Sequence, residues 1–203
     1  MLGLLVMNLL FICSYLGLTG YWFMSLWGLG LMTFLSFSLF YSPGVSFSFE
    51  FGYFDLDGMS ASLIVLTCWI SMLMLLSSFM GVFNGLNKVI EFCICIGGLN
   101  FILLLTFSLS NAFLFYVFFE GSLVPTLVLI LSWGYQPERM QAGMYMMMYT
   151  IMASLPFLAL LMSVYNSESS LFLLFVMGSS GAGLIGWEWN FWFFIIFAPF
   201  LVK

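Results

Sequence analysis

Histidine is absent from the 203 residues, and Lys and Arg together number three. The first absence removes the imidazole that most often serves neutral-pH acid–base chemistry and metal binding. The second removes the basic footprint that nucleic-acid binding needs, so no nucleic-acid partner is expected. Charge of either sign is scarce: 5% of the residues are charged, against 64% hydrophobic and 21% aromatic. That balance excludes a soluble globular domain. A phosphate-cradling glycine loop and an internal sequence repeat are also missing.

What is present is a succession of apolar runs separated by short polar breaks. Roughly 20 apolar residues cross a bilayer as a helix, and the strict alternation of a membrane barrel is not seen. The fold class is therefore all-α, a polytopic transmembrane helix bundle forming one domain. Complete spans are expected at about 2–17, 21–41, 59–82, 89–109, 112–133 and 141–165, and an incomplete seventh at about 187–203. MLGLLVMNLLFICSYLG lacks a basic leader and a small-residue cleavage site, so it reads as the first span rather than a signal sequence. If the protein is organellar, the missing basic leader implies synthesis inside the organelle. Cys13, Cys68, Cys93 and Cys95 all fall in apolar runs, where Cys acts as a small hydrophobe. Cys93 and Cys95 are two apart and point to different helix faces, and no metal site is expected.

Of the three basic and eight acidic residues, Glu120 alone lies deep inside a complete predicted span. On a helix starting near Asn111 it sits roughly 13 Å along the axis, near the middle of a hydrocarbon core about 30 Å thick. A charge there costs about 2.5–3.5 kcal/mol on insertion scales, so the carboxylate should face protein or water, with a basic partner or with its proton retained. Both conditions suit a proton carrier. The plain structural alternative is a protonated Glu that hydrogen-bonds a neighbouring helix.

Pro125 has no N–H and frees the carbonyl of Gly121, next to the acid. With the hydroxyls of Ser122 and Thr126, that carbonyl could support a water chain; a simple proline kink is the alternative. Pro156 does the same to Met152, with Ser154 at hand. In WEWNFWFFIIFAPFLVK, a span entering the bilayer near Phe191 brings Lys203 roughly 18 Å along, again near the midplane. Pro199 frees the carbonyl of Ile195 and marks a helix break before the lysine. Two readings of Lys203 stay open: a buried partner for an acid, or a flank that snorkels to the surface.

SWGYQPERMQAG is read as a tight turn whose Pro137 enters the next helix and whose Glu138 meets its positive end. Lys88 and Arg139 fall on one side of the bundle, while Glu50, Asp55, Asp57, Glu168 and Glu188 fall on the other. The positive-inside rule makes the first the cytoplasmic or matrix face, with the N-terminus opposite.

FYVFFEGSLVPTLVLILSWGYQPERMQAGMYMMMYT resembles the corresponding segment of the chain 4 family of mitochondrial NADH:ubiquinone oxidoreductase, antiporter-like proton-pumping subunits of respiratory complex I. FGYFDLDGMSASLIVLTCWISMLML is similar to that family's third helix with its preceding loop, and FLVK to its seventh helix at the lysine. The resemblance implies the first half of an antiporter-like fold of two inverted five-helix repeats in the mitochondrial inner membrane, the N-terminus on the intermembrane-space side. It implies that Glu120 faces Lys203, and that changes in this pair drive proton transfer along a hydrated axis. It also implies other membrane-arm subunits and lipids as partners and no cofactor on this chain, NADH, flavin mononucleotide, iron–sulfur clusters and ubiquinone being handled elsewhere. Gly121 stands where the family has Ala or Ser, and Pro199 is a departure. A subunit of a multisubunit sodium/proton antiporter shares the Glu and Lys positions, and a non-conducting membrane scaffold is the third reading. A helix stopped at Lys203 would leave four carbonyls unpartnered near mid-membrane, so the polypeptide is expected to continue or a second chain to complete the seventh span.

Overall fold

A computed structural model of the chain describes residues 2–14, 21–41, 54, 56–83 and 88–168. Seven helices are found among them: α1 (Leu2–Ser14), α2 (Tyr21–Phe37), α3 (Gly58–Ser77), α4 (Val89–Ser108), α5 (Ala112–Gly121), α6 (Leu123–Trp133) and α7 (Arg139–Glu168). A 3-10 turn at Ser38–Tyr41 extends α2, and a π turn at Phe79–Phe83 follows α3. No strand occurs among the described residues; one isolated bridge joins Phe54 to Leu109. Helices α3, α4 and α7 and the combined α5–α6 segment are each long and apolar enough to cross a membrane, whereas α1 and α2 are shorter apolar helices. The chain is a multi-pass membrane protein.

The helix starts follow from local chemistry. The backbone N–H of Asp57 donates to Ser60 Oγ at 2.8 Å, which occupies a donor that the start of α3 cannot use. Asn111 caps α5 by accepting from the Phe113 N–H at 3.0 Å. Lys88 precedes α4 in the left-handed region, φ 50°, a conformation uncommon outside glycine. Arg139, two residues after Pro137, opens α7, slightly earlier than the 141 expected.

Two apolar clusters hold α1–α4 together. One gathers Trp22, Leu29, Leu75, Val82, Phe92, Cys93 and Ile96, and the other Leu4, Leu5, Met32, Ile64, Cys68 and Leu104. Trp22 stacks on Phe92 with ring centroids 6.1 Å apart, and Phe92 meets Trp133 edge-on at 5.1 Å, which ties α6 to the same cluster. Gly28 lets α1 and α2 approach closely: a Cβ there would lie 2.8 Å from the Phe11 ring.

Outward faces are as apolar as the core, as expected where lipid is the solvent. Trp27 and Phe34 of α2 are exposed, and so is a row along α7 formed by Met140, Met144, Met148 and Met152. Spacing of four residues places those thioethers one above another on a single helix face.

Candidate functional site

Glu120 lies one residue before the end of α5, and its side chain is half-buried. The expected single helix over 112–133 is interrupted at Ser122, the one non-helical residue between α5 and α6. Pro125 supplies the reason, since it has no N–H to return to the carbonyl four residues back. Ser122 keeps the chain near helical, φ −64° and ψ −19°, and its N–H donates to the Phe118 carbonyl at 3.0 Å. The acid therefore sits immediately beside a break in its own helix.

The hydroxyls around the break bond within their own helix. Ser122 Oγ donates to the Phe119 carbonyl at 2.7 Å. Thr126 Oγ1 donates to the Leu123 carbonyl at 2.9 Å and lies 3.2 Å from that of Ser122. Both hydrogens thus go to carbonyls of the preceding turn, which leaves the hydroxyl oxygens as acceptors. Such back-bonding is the local competition by which Ser and Thr bend membrane helices.

One polar connection was not anticipated from sequence. Tyr116, one turn before Glu120 on the same helix face, donates from its hydroxyl to Ser154 Oγ on α7 at 3.4 Å. Its ring lies against Phe157, centroids 5.9 Å apart. Ser154 is buried and donates in turn to the Ile151 carbonyl at 3.1 Å, while Thr150, one turn earlier and also buried, donates to Met146 at 2.9 Å. Near Pro156, Ser154 thus links the Ile151 carbonyl to the Tyr116 hydroxyl. Helix α7 runs through Pro156 without ending. Tyr116 is visible in the sequence as a phenol four residues before the acid, but its partner on α7 is set by the register between helices, which the sequence does not display.

Lys203 and Pro199, and with them the expected acid–base pair and the seventh span, lie outside the described residues. The described cations are Lys88 and Arg139, and both line one cleft with Ser77, Ser132, Trp133 and Tyr135. Lys88 Nζ is 3.5 Å from Glu91, both exposed, and Arg139 donates to the Gly134 carbonyl at 2.8 Å. That second bond closes the 134–139 turn. The only described ion pair is thus an exposed one at a helix start, a class that contributes little to stability.

The family model described as "NADH-ubiquinone oxidoreductase chain 4, amino terminus" matches residues 1–106. A second, described as "NADH:quinone oxidoreductase/Mrp antiporter, TM", matches residues 109–203. Among similar proteins are the NADH-ubiquinone oxidoreductase chain 4 of Locusta migratoria, 44% identical over 153 residues, and that of Scyliorhinus canicula, 34% identical over 175. The first alignment covers 74% of this chain and 32% of the relative, the second 85% and 38%. The chain therefore spans about a third of the length of these relatives. A chain of the structure titled "Respiratory complex I from Thermus thermophilus with bound NADH" superposes with a TM-score of 0.74 at 24% identity, over 97% of this chain and 42% of that one. At that identity the likeness speaks for the fold, an antiporter-like bundle.

Proposed function

The chain belongs to the NADH-ubiquinone oxidoreductase chain 4 family, and from that premise we propose that it forms part of the membrane arm of respiratory complex I. There it contributes a proton-translocating half-channel coupled to electron transfer from NADH to ubiquinone. The observation that carries this reading is the placement of Glu120: a half-buried carboxylate in the middle of a 22-residue apolar span, beside a helix break. A charge in such a place is costly, and a fold gains nothing by keeping it unless the group changes state.

In this mechanism Glu120 binds and releases a proton at its carboxylate. Its partner in this reading is the ammonium of Lys203. Alternating the strength of that pairing moves the proton on. The break at Ser122 and Pro125 loosens the helix at the acid, and Tyr116 with Ser154 fixes α5 against α7 one turn away. The chain carries no redox cofactor of its own. NADH, flavin, iron–sulfur clusters and ubiquinone belong to other subunits, which are its partners along with the surrounding lipid.

Gathering of Lys88 and Arg139 at one cleft supports an orientation with that end in the mitochondrial matrix and the N-terminus on the intermembrane-space side. The antiporter reading is favoured by the description of the model matching residues 109–203, but residues 1–106 match the oxidoreductase family. Co-purification with flavin and iron–sulfur subunits separates the two.

The direct test is Glu120→Gln in the assembled membrane enzyme. Inhibitor-sensitive proton pumping is expected to be largely lost while the chain still inserts, because the amide keeps the shape and cannot carry the proton. Pumping and quinone reduction at the level of the unaltered enzyme would overturn the assignment.

A further inference from the structure

Helices α1–α4 carry a polar layer between their two apolar clusters. On α4, Ile96 belongs to the cluster of Trp22, Leu29 and Leu75, and Leu104 to that of Leu4, Leu5 and Cys68. Asn100 stands between them, one turn from each, and is 0% exposed. On α3, Ser71 stands between Cys68 and Leu75 in the same way, and on α1 Asn8 follows Leu4 and Leu5 by one turn; each is 2% exposed. Consecutive spans alternate in direction, so α1 and α4, which pack together, run antiparallel. Residues after Leu4 then meet residues before Leu104, and Asn8 and Asn100 come to one level. That level is roughly 16 Å from the start of α4, near the middle of the membrane.

Neither carboxamide is satisfied within the described residues: Asn8 Nδ2 and both Nδ2 and Oδ1 of Asn100 are buried without a hydrogen-bond partner. The Cys68 thiol, with Ser36 beside it, faces Asn100, but a thiol is a weak donor and makes no substitute for an amide or hydroxyl. Ser71, Ser36 and Thr33 give their hydrogens to the carbonyls of Cys68, Thr33 and Gly30 at 2.9, 2.7 and 2.7 Å, so their oxygens are left as acceptors. Unpaired carboxamides in a lipid-embedded core are disfavoured strongly enough that two at one level call for a common ligand that donates and accepts.

We infer that α1 and α4 share an ordered-water site at mid-membrane, held by the carboxamides of Asn8 and Asn100. Water accepts from Nδ2 of either Asn and donates to Asn100 Oδ1 or to a hydroxyl oxygen, the two to four polar partners that a buried water requires. An ion does not fit, since no charged side chain lies in the layer among the described residues. The site lies between the two apolar clusters and links α1 to α4, whereas Glu120 stands on α5.

Two measurements on the assembled membrane enzyme test this. A map resolving solvent is expected to show an ordered water about 3 Å from the carboxamide nitrogens of Asn8 and Asn100. Asn8→Leu and Asn100→Leu each strand the opposite carboxamide, so assembled enzyme is expected to fall on the order of tenfold in either, and to recover in the double variant. A dry layer with the carboxamides bonded directly to each other or to neighbouring side chains overturns the inference. So does a pair of single variants that assemble as well as the unaltered enzyme. If no variant assembles, the map of the unaltered enzyme decides.

Discussion

The Tyr116 hydroxyl reaches Ser154 of α7 across 3.4 Å, one helical turn from Glu120. This places the candidate proton carrier at a point where its helix is both broken, at Ser122, and tethered, at Tyr116. A tether nearly two turns before a break confines helix bending to the residues that follow it.

Tyr116→Phe is the matching perturbation. It keeps the ring against Phe157 and removes only the hydroxyl, so the expected loss of stability is small, about 0.5–1.5 kcal/mol. Pumping should fall, though by less than in Glu120→Gln, while quinone reduction persists. Ser154→Ala should reproduce the effect, and the double variant should be no worse than either single one. Additive losses in that cycle would show that the two hydroxyls act separately.

Pro125→Ala restores an N–H that can donate to the Gly121 carbonyl and should let α5 and α6 join into one helix. Helix content should rise slightly, the chain should insert normally, and proton pumping should decline because the loosened backbone at the acid is lost. Unchanged pumping with a continuous helix would show the break to be incidental.

Arg139 closes the turn before α7 through its 2.8 Å bond to the Gly134 carbonyl. Arg139→Ala should lower the amount of assembled complex severalfold before it lowers turnover per complex, since the side chain lies at a span end outside the candidate proton site. Quantifying subunits on native gels alongside pumping per complex checks this. Full assembly without pumping would assign Arg139 a direct part in proton transfer.

Gly28→Val forces Cβ into the Phe11 ring, which leaves no room for it at 2.8 Å. Overpacking of this kind costs about 1–3 kcal/mol. Phe11→Ala in the same chain should restore much of the loss, which thermal stability of the solubilised protein would report. No rescue would mean that α1 and α2 meet elsewhere.

The apolar runs made the spans visible in the sequence because lipid demands them: α3 and α4 begin within a residue of the expected starts, 59 and 89. Glu120 was visible for the same reason, as a charge without company. The interruption at Ser122 was less so, since Pro125 announces a kink without saying whether the helix bends or stops. Tyr116, Asn8 and Asn100 were hidden because their meaning lies in register between helices, which hydropathy does not encode. Asn100 reads as one polar residue in FCICIGGLNFILLL until Leu104 and Ile96 are seen to belong to different clusters. The pairing of Glu120 with Lys203 concerns residues beyond 168 and rests on the resemblance.

The ladder of Met140, Met144, Met148 and Met152 along the outer face of α7 makes this chain vulnerable to oxidants as well as adaptable. Oxidation of any one sulfur turns a polarizable, apolar group into a strongly dipolar sulfoxide, which an apolar helix face does not satisfy. Each damaged rung would draw polar groups toward α7, the helix that carries Ser154. Chemical injury at the surface would thereby reach the Tyr116 tether through a single rigid rod, and repair by sulfoxide reduction would reset it.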